Sequence, residues 1–209
     1  VKKSIIEQGK MTDELSEAID SAQTLAVLED LYRPYKQKRR TRATAAKEKG
    51  LEPLALALFA QSAELPAPVE LAADYIDPDK GVETADDALA GASDIIAEMI
   101  SDDAEIRKML REFIAATGVL RAQAAKDEDS VYRLYYDFSQ RLSRLQGHQI
   151  LAVNRGEKEE FLKVSVEVDR DAALQRVRRA VIRPGSSAMA FVRAAAEDAY
   201  DRLIWPSME

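Results

Sequence analysis

Residues 28–43 read Leu28-Glu-Asp-Leu-Tyr-Arg-Pro-Tyr-Lys-Gln-Lys-Arg-Arg-Thr-Arg-Ala43, and the predicted fold is organised around this stretch. It begins with apolar and acidic residues that are typical of the end of a helix. Pro34 predicts that this helix stops, because proline disfavours helical backbone at the residue before it. A dense basic loop follows, and Thr41 is typical of the N-cap of a second helix. The stretch therefore predicts a junction between two helices that displays clustered positive charge.

The basic cluster stands out because the rest of the chain is acidic. Residues 33–49 hold eight Lys or Arg side chains against one acid, Glu48, whereas the whole chain has a net charge of −7. Residues 64–105 hold thirteen acidic side chains against one base, Lys80. Such a run is usually a solvated surface, although it can also pair with a basic loop or repel nucleic acid locally.

The junction has two interpretations. Clustered Lys and Arg give affinity for nucleic-acid phosphates through counterion release, and tyrosine rings can stack on bases. Alternatively, the tyrosines pack the turn and the arginines pair with carboxylates of neighbouring helices, as guanidinium groups readily do. Both interpretations remain open from the sequence. The candidate contacts are Tyr32, Arg33, Tyr35, Lys36, Lys38, Arg39, Arg40, Arg42 and Lys47.

A second candidate region covers residues 147–157, which follow a tyrosine-rich segment and precede an apolar alternating segment. Three of its apolar residues are predicted to be buried, namely Ile150, Leu151 and Val153. Its polar residues are candidates for a structural cluster at a helix end, namely His148, Asn154, Arg155 and Glu157.

The predicted fold class is mainly α, multihelical, with a minor two-stranded β element. Apolar residues keep a helical period over several turns of residues 84–101. Residues 160–168, and more weakly 119–125, alternate with a period of two, which is typical of strands. The stretch between them, 132–155, is predicted to be helical. Clustered Pro and Gly indicate a boundary near residues 62–68 or near residues 77–81. The first position predicts two helical subdomains, 1–62 with the basic junction and 63–209 with the β element.

Few residues are suited to catalysis or to metal binding. The chain has one histidine and no cysteine, which argues against a metal centre and fits a reducing cytoplasm. No glycine-rich phosphate loop is present, and no apolar run approaches the roughly 18 residues of a membrane span. We therefore expect no enzyme activity, no cofactor, no membrane and no small-molecule substrate. The chain starts at Val1, inside a predicted helix, which suggests a fragment of a longer protein.

The junction resembles the hallmark of the Tex family of bacterial transcription accessory proteins. The hallmark residues are Leu28-Glu-Asp-Leu-Tyr32, Pro34-Tyr-Lys36 and Lys38-Arg-Arg-Thr-Arg-Ala43. Further matches are Glu48-Lys-Gly-Leu-Glu-Pro-Leu54, Tyr136-Asp-Phe-Ser139, His148, Leu151-Ala152, Arg155-Gly-Glu157, and Leu203 with Pro206-Ser207 and Glu209. The resemblance covers essentially the whole chain.

The resemblance implies a cytoplasmic factor that is linked to transcription and binds RNA or DNA through the full-length protein. It places this chain in a helical N-terminal region with a helix-turn-helix-like unit, ending where an RNase H-like domain begins. It also attributes RNA binding mainly to an OB-fold domain outside this chain. We therefore expect a non-catalytic scaffold whose loop 33–47 contributes phosphate contacts. The alternative is a module that docks polymerase or ribosome components without touching nucleic acid.

Overall fold

The computed structural model describes residues 1–36 and 40–208. The first helices are α1 (Lys2–Glu7), α2 (Asp13–Ser21), α3 (Leu25–Tyr32), α4 (Arg42–Glu48), α5 (Glu52–Ala60) and α6 (Pro68–Ala73). The later helices are α7 (Ala85–Asp102), α8 (Ala104–Thr117), α9 (Gly147–Lys158), α10 (Arg170–Val181), α11 (Met189–Asp198) and α12 (Trp205–Met208). The strands are β1 (Val119–Ala124), β2 (Asp137–Arg141) and β3 (Leu162–Glu167). The predicted fold class, mainly α with a minor β element, is confirmed.

The chain packs into two compact units. The first unit joins residues 1–108 to residues 174–207, and the second is formed mainly by residues 109–173. The predicted subdomains 1–62 and 63–209 do not coincide with this division, because α4 and α5 pack against α7 across residue 62. Those subdomains remain a prediction from sequence.

Helix α7 is the centre of the first unit. Thr84 and Asp87 start it with a capping box, in which each side chain accepts a hydrogen bond from the other residue's backbone N–H. Its apolar stripe is covered by α4, α5, α6, α11 and a π-helical segment, Ala199–Ile204. Gly91 permits Leu51 to pack closely against α7, because a Cβ at position 91 would lie 2.4 Å from Leu51 Cδ1.

The predicted helix start at Thr41 is confirmed, and Thr12 and Thr24 cap α2 and α3 in the same way. Each threonine hydroxyl accepts a hydrogen bond from the backbone N–H three residues later, at 3.2, 3.3 and 3.0 Å. These bonds satisfy donors that the first turn of a helix otherwise leaves without partners. Local sequence therefore fixes where α2, α3 and α4 begin.

The second unit contains a three-stranded antiparallel sheet in the order β2-β1-β3. The two predicted strands correspond to β1 and β3, and they pair with each other, with Ala122 opposite Val164. One face of the sheet contributes to a small core beneath α9. The buried members of that core are Leu120, Ala122, Tyr132, Val153 and Leu162.

The prediction of a helical stretch over 132–155 is wrong in its first half. Asp137–Arg141 forms β2 at the edge of the sheet, and α9 begins only at Gly147. In β2 the even-numbered residues Phe138 and Gln140 are half-buried and their neighbours are exposed. A single strongly apolar residue in five is a weak period-two signal, so pairing with β1 decides the conformation.

Helix α9 packs closely on the sheet through Gly156. A Cβ at this position would lie 2.6 Å from Leu162 Cδ1 and 3.1 Å from Tyr132 Cδ1. We expect Gly156→Ala to lower the free energy of unfolding of this unit by about 1–3 kcal/mol, because extra volume in a packed core forces strain. Urea denaturation followed by far-UV circular dichroism measures the change.

The matched control is Gly147→Ala at the start of the same helix, where no atom lies within 4 Å of the added Cβ. Stability there should stay the same or rise slightly, since alanine is the better helix former. An equal loss in both variants would contradict the packing argument.

Candidate nucleic-acid interface

The basic junction is built from the end of α3 and the start of α4. Helix α3 ends at Tyr32, a 3₁₀ turn spans Arg33–Tyr35, and Thr41 caps α4. Two predicted contacts, Lys38 and Arg39, lie outside the described residues.

Three of the predicted cations pair with carboxylates of the same unit. Arg33 Nε lies 3.2 Å from Asp102 Oδ1, which ties the junction to the end of α7. Two further pairs lie on the surface, Arg40 with Glu48 at 2.8 Å and Lys47 with Glu52 at 3.5 Å. Exposed pairs of this kind contribute about 0–1 kcal/mol, so their cations remain accessible to a ligand with stronger charge.

The remaining described cations of the junction are exposed and differ in their surroundings. Lys36 makes no side-chain ion pair within the described residues and lines a groove of about 460 Å³ together with Lys47. Carboxylates of α7 also line this groove, so its charge is mixed. Arg42 lies close to two carboxylates, where it opposes the rise that burial causes in the pKa of Asp94 and adds to the fall that Arg202 causes in the pKa of Asp198.

Those two carboxylates belong to a charge network centred on Arg202. Arg202 donates hydrogen bonds to Asp198 and one of 3.0 Å to Asp94. The bonds from Arg202 hold the pKa of Asp198 below its ordinary value, whereas partial burial raises the pKa of Asp94. The network links α7 to the π-helical segment beside the start of α4.

Both tyrosines of the junction are half-buried. The Tyr32 hydroxyl donates to Ser4 Oγ at 3.2 Å, and the Tyr35 carbonyl accepts from Gln8 Nε2 at 2.8 Å. These contacts brace the junction against α1. Stacking of the tyrosines on nucleic-acid bases remains a prediction.

A buried ion pair holds the helix that leads into the basic loop of the junction. Arg107 Nε donates to Asp30 Oδ1 at 2.9 Å, and the two side chains are only 5% and 9% exposed. Arg107 also donates to the Ser101 carbonyl at 3.3 Å and to Ser207 Oγ at 3.1 Å. One guanidinium group therefore joins α3, α7, α8 and α12.

The sequence analysis did not single out Arg107, although a signal was present. Arg107 stands three residues before Leu110 and seven before Ile114, so it continues the apolar stripe of α8. A charged residue at an apolar-stripe position indicates a buried partner of opposite charge. Its contacts with Asp30 and Ser207 bring together the first and last stretches of the family resemblance.

The predicted polar cluster in α9 is not brought together by the described contacts. His148, Asn154, Arg155 and Glu157 are all exposed, and Arg155 pairs with Glu159 at 2.9 Å instead of with Glu157. The related prediction that Ile150 and Leu151 are buried is wrong, since they are 41% and 72% exposed. Their helix buries Val153 and Gly156, because these two residues face the sheet.

Glu159 instead organises the contacts of this region. It accepts hydrogen bonds from Arg155 Nε at 2.9 Å and from the Tyr132 hydroxyl at 2.8 Å. These bonds lower the pKa of Glu159, with the Arg155 bond as the larger cause, and burial raises the pKa of Tyr132. The geometry fastens the aromatic core of the second unit to the end of α9.

Within residues 1–36 and 40–208, no helix combines the length and the apolar character that a bilayer crossing requires. The same residues contain no group of three histidine or carboxylate side chains arranged to hold a metal ion.

The fold and the junction define a mainly helical scaffold that holds a cationic helix junction against an acidic body. Residues 64–201 match a family model described as Tex central region-like. The chain is 41% identical to Protein tex of Bordetella pertussis over 189 residues, which cover 89% of this chain and 24% of that protein. The chain belongs to the Tex family.

Two further relatives extend the comparison. Uncharacterized protein YdcI of Bacillus subtilis is 41% identical over 213 residues, covering 98% of this chain and 29% of the relative. Human S1 RNA-binding domain-containing protein 1 is 32% identical over 220 residues, covering 97% of this chain and 22% of the relative. The chain thus spans less than a third of the length of each of these relatives.

Removing the buried cation should destabilise the first unit strongly. We expect Arg107→Met to cost about 3–5 kcal/mol, because it leaves the buried Asp30 carboxylate without this partner. Urea denaturation of the wild type and of the variant measures the loss of stability. The control is Arg40→Met, which breaks an exposed pair and should cost no more than about 1 kcal/mol. Equal small losses would show that the buried pair does not organise the unit.

The Glu159 contacts predict a pH dependence. Because the folded pKa of Glu159 lies below its ordinary value, its contribution to stability is present above about pH 4.3 and is lost as the pH falls through the folded pKa. We expect Glu159→Gln to weaken protection of the second unit at pH 7 and to have a smaller effect at pH 3, as measured by hydrogen exchange and mass spectrometry. The control, Glu157→Gln, should change neither. A difference from wild type that persists unchanged at pH 3 would contradict this assignment.

Proposed function

We propose that this chain is a non-catalytic helical scaffold of a Tex-family transcription accessory protein and that its basic junction contributes phosphate contacts. The observation that carries the proposal is the exposure of Lys36, Arg40 and Arg42 on the described parts of the junction in a chain of net charge −7. An acidic protein repels nucleic acid unless its cations are concentrated at one place.

The surface pairs of the junction are compatible with this role. Arg40 and its partner Glu48 are 74% and 55% exposed, so their attraction is screened by water. A phosphate can replace the carboxylate, since it accepts a guanidinium fork equally well. Arg33 is held by Asp102 at the base of the junction, which makes it better suited to support than to contact.

The ligand class follows from the relatives. A relative from Neisseria gonorrhoeae is named a transcriptional accessory protein, and the human relative is named for an S1 RNA-binding domain. These names support RNA or DNA as the partner of the full-length protein. The setting is the cytoplasm, and transcription or translation machinery is the protein partner. In this proposal the chain positions other nucleic-acid-binding parts of the longer protein and adds its own phosphate contacts.

A second candidate function is a structural or protein-interaction module that docks polymerase or ribosome components. The pairing of Arg33, Arg40 and Lys47 with carboxylates favours this candidate, because satisfied cations have less need of phosphate. The two candidates differ in what the exposed junction cations do.

The test replaces Lys36, Arg40 and Arg42 together by glutamine. We expect weaker binding of a fluorescent single-stranded RNA and of a duplex DNA, measured by anisotropy across a salt series. If all three side chains contact phosphates, the slope of log K against log salt should fall by about 2 for single strands and nearly 3 for duplex DNA.

The control replaces Lys158 and Lys163, which are exposed cations of the second unit, by glutamine. Thermal unfolding of every variant separates binding from folding. Unchanged affinity and slope in the junction variant, together with a lower melting temperature, would favour the protein-interaction module instead.

A further inference from the structure

A second concentration of positive charge lies far along the chain from the junction. Residues 172–196 contain no Asp or Glu and hold five arginines, although acidic residues outnumber basic ones in the whole chain, 37 to 30. This segment covers most of α10, the loop after it and the first part of α11. The arginines are Arg176, Arg178, Arg179, Arg183 and Arg193.

The loop between α10 and α11 is fixed to the end of α5. The backbone N–H of Arg183 donates to Gln61 Oε1 and its guanidinium to the Ala60 carbonyl, both at 3.0 Å. Ser187 Oγ donates to the carbonyls of Leu65 and Pro66 at 2.9 and 2.8 Å. The loop is therefore held in place before any ligand binds, which lowers the entropic cost of using it.

Gln61 supplies the buried part of this attachment. Its amide nitrogen donates to the Val181 carbonyl at 2.8 Å while its oxygen accepts from Arg183, and the residue is 5% exposed. Its backbone is left-handed, with φ of 51°. A strained, buried glutamine that closes the last turn of α10 shows that the position of this loop is strongly determined.

The side chains of Arg179 and Arg193 are exposed and have no carboxylate partner among the described residues. Arg178, next to the first of these, pairs with Glu197 of α11. Since Arg193 stands four residues before Glu197, it lies on the same face of α11 as that ion pair. The ion pair thus connects α10 to the face of α11 that carries Arg193, and Arg179 follows Arg178 on the neighbouring face of α10.

Arg178 carries a further sign that the local charge is not fully satisfied. Its Nε is buried and has no hydrogen-bond partner among the described residues. Buried donors are normally paired, so an unpaired one marks a place where charge and hydrogen bonding are incomplete.

Most of the described junction cations face a carboxylate, although Lys36 does not, whereas the exposed arginines of α10 and α11 have no carboxylate partner among the described residues. At the junction, Arg33, Arg40 and Lys47 each face a carboxylate. On α10 and α11, two exposed arginines face none in the described part of the chain. Arginine, unlike lysine, presents a planar fork that binds phosphate oxygens with two hydrogen bonds.

We propose that Arg179 and Arg193, supported by the anchored loop at Arg183, form a second surface that contacts the phosphate backbone of nucleic acid. This inference rests on the proposed function in that the protein binds nucleic acid, but it uses none of the junction residues. The phosphate chemistry is shared by RNA and DNA, and the surface has no feature that reads bases.

The test is the double variant Arg179→Gln and Arg193→Gln in the complete 209-residue chain. Arg183 is left intact because its side chain fastens the loop. We expect the salt slope to fall by about 1.4 for single-stranded RNA and about 1.8 for duplex DNA, with affinity at about 0.1 M salt reduced on the order of tenfold or more.

The matched control is again Lys158→Gln with Lys163→Gln, which removes the same charge from the other unit. An equal loss in this control would overturn the proposal, because it would show a response to net charge alone. Conservative replacement of both arginines by lysine should retain most of the salt slope. Thermal unfolding of the glutamine variant confirms that it is folded.

The junction variant separates this proposal from the proposed function. Loss of binding only in the Arg179 and Arg193 variant supports this surface and removes the junction from the interface. Loss only in the junction variant overturns this surface and leaves the proposed function intact. No binding of wild type to either probe overturns both proposals, and binding instead of an acidic peptide such as polyglutamate would identify a protein-docking surface.

Discussion

The buried ion pair between Asp30 and Arg107 is the constraint on which the first unit depends. Neither side chain can reach bulk water, so each needs the other to offset the loss of hydration. Because Arg107 also binds Ser101 and Ser207, the pair fixes the end of α3 relative to three other segments. The turn that carries the basic junction starts three residues after Asp30 and inherits that fixed position.

The cations of the first unit have two different roles, structural support and exposure to solvent. Buried or half-buried cations, Arg107 and Arg33, hold segments together through carboxylates of an acidic body. Exposed cations lie on the elements that these buried pairs hold in place. Their own ion pairs are weak enough for another anion to replace the carboxylate. The network of Arg202 with Asp94 and Asp198 has the same supporting character near the middle of α7. A net negative charge is thus compatible with two local groups of exposed cations, because the acidic side chains are concentrated in other parts of the chain.

Sequence analysis recovered what is decided locally. The cap at Thr41, the helix stop before Pro34 and the strand at β3 each depend on a few consecutive residues, and all three appear in the structure. What it missed depends on distant partners. Strand β2 forms because β1 offers an edge, and Arg107 is buried because Asp30, 77 residues away, compensates it. Leu151 reads as a core residue, but the sheet receives the opposite face of α9.

The junction illustrates both what the sequence predicts and what depends on distant residues. Its boundaries and its charge are evident from residues 28–43, and so is its resemblance to the Tex family. The sequence does not reveal which of its cations are paired with carboxylates, since the partners Asp102 and Glu52 belong to other helices. The arginines of α10 and α11 are equally visible in the sequence, but only the absence of facing carboxylates in the described chain gives them weight.

The first unit is assembled from two separate parts of the chain, and this has a consequence for biosynthesis. Residues 109–173, which form most of the second unit, are made between them, while α11 and the π-helical segment are still untranslated. At roughly 5–20 residues per second, the apolar stripe of α7 waits several seconds for its last cover. A ribosome that stalls before residue 174 would leave that stripe open to chaperones, and Ser207 can bind Arg107 only after both parts of the first unit have been made.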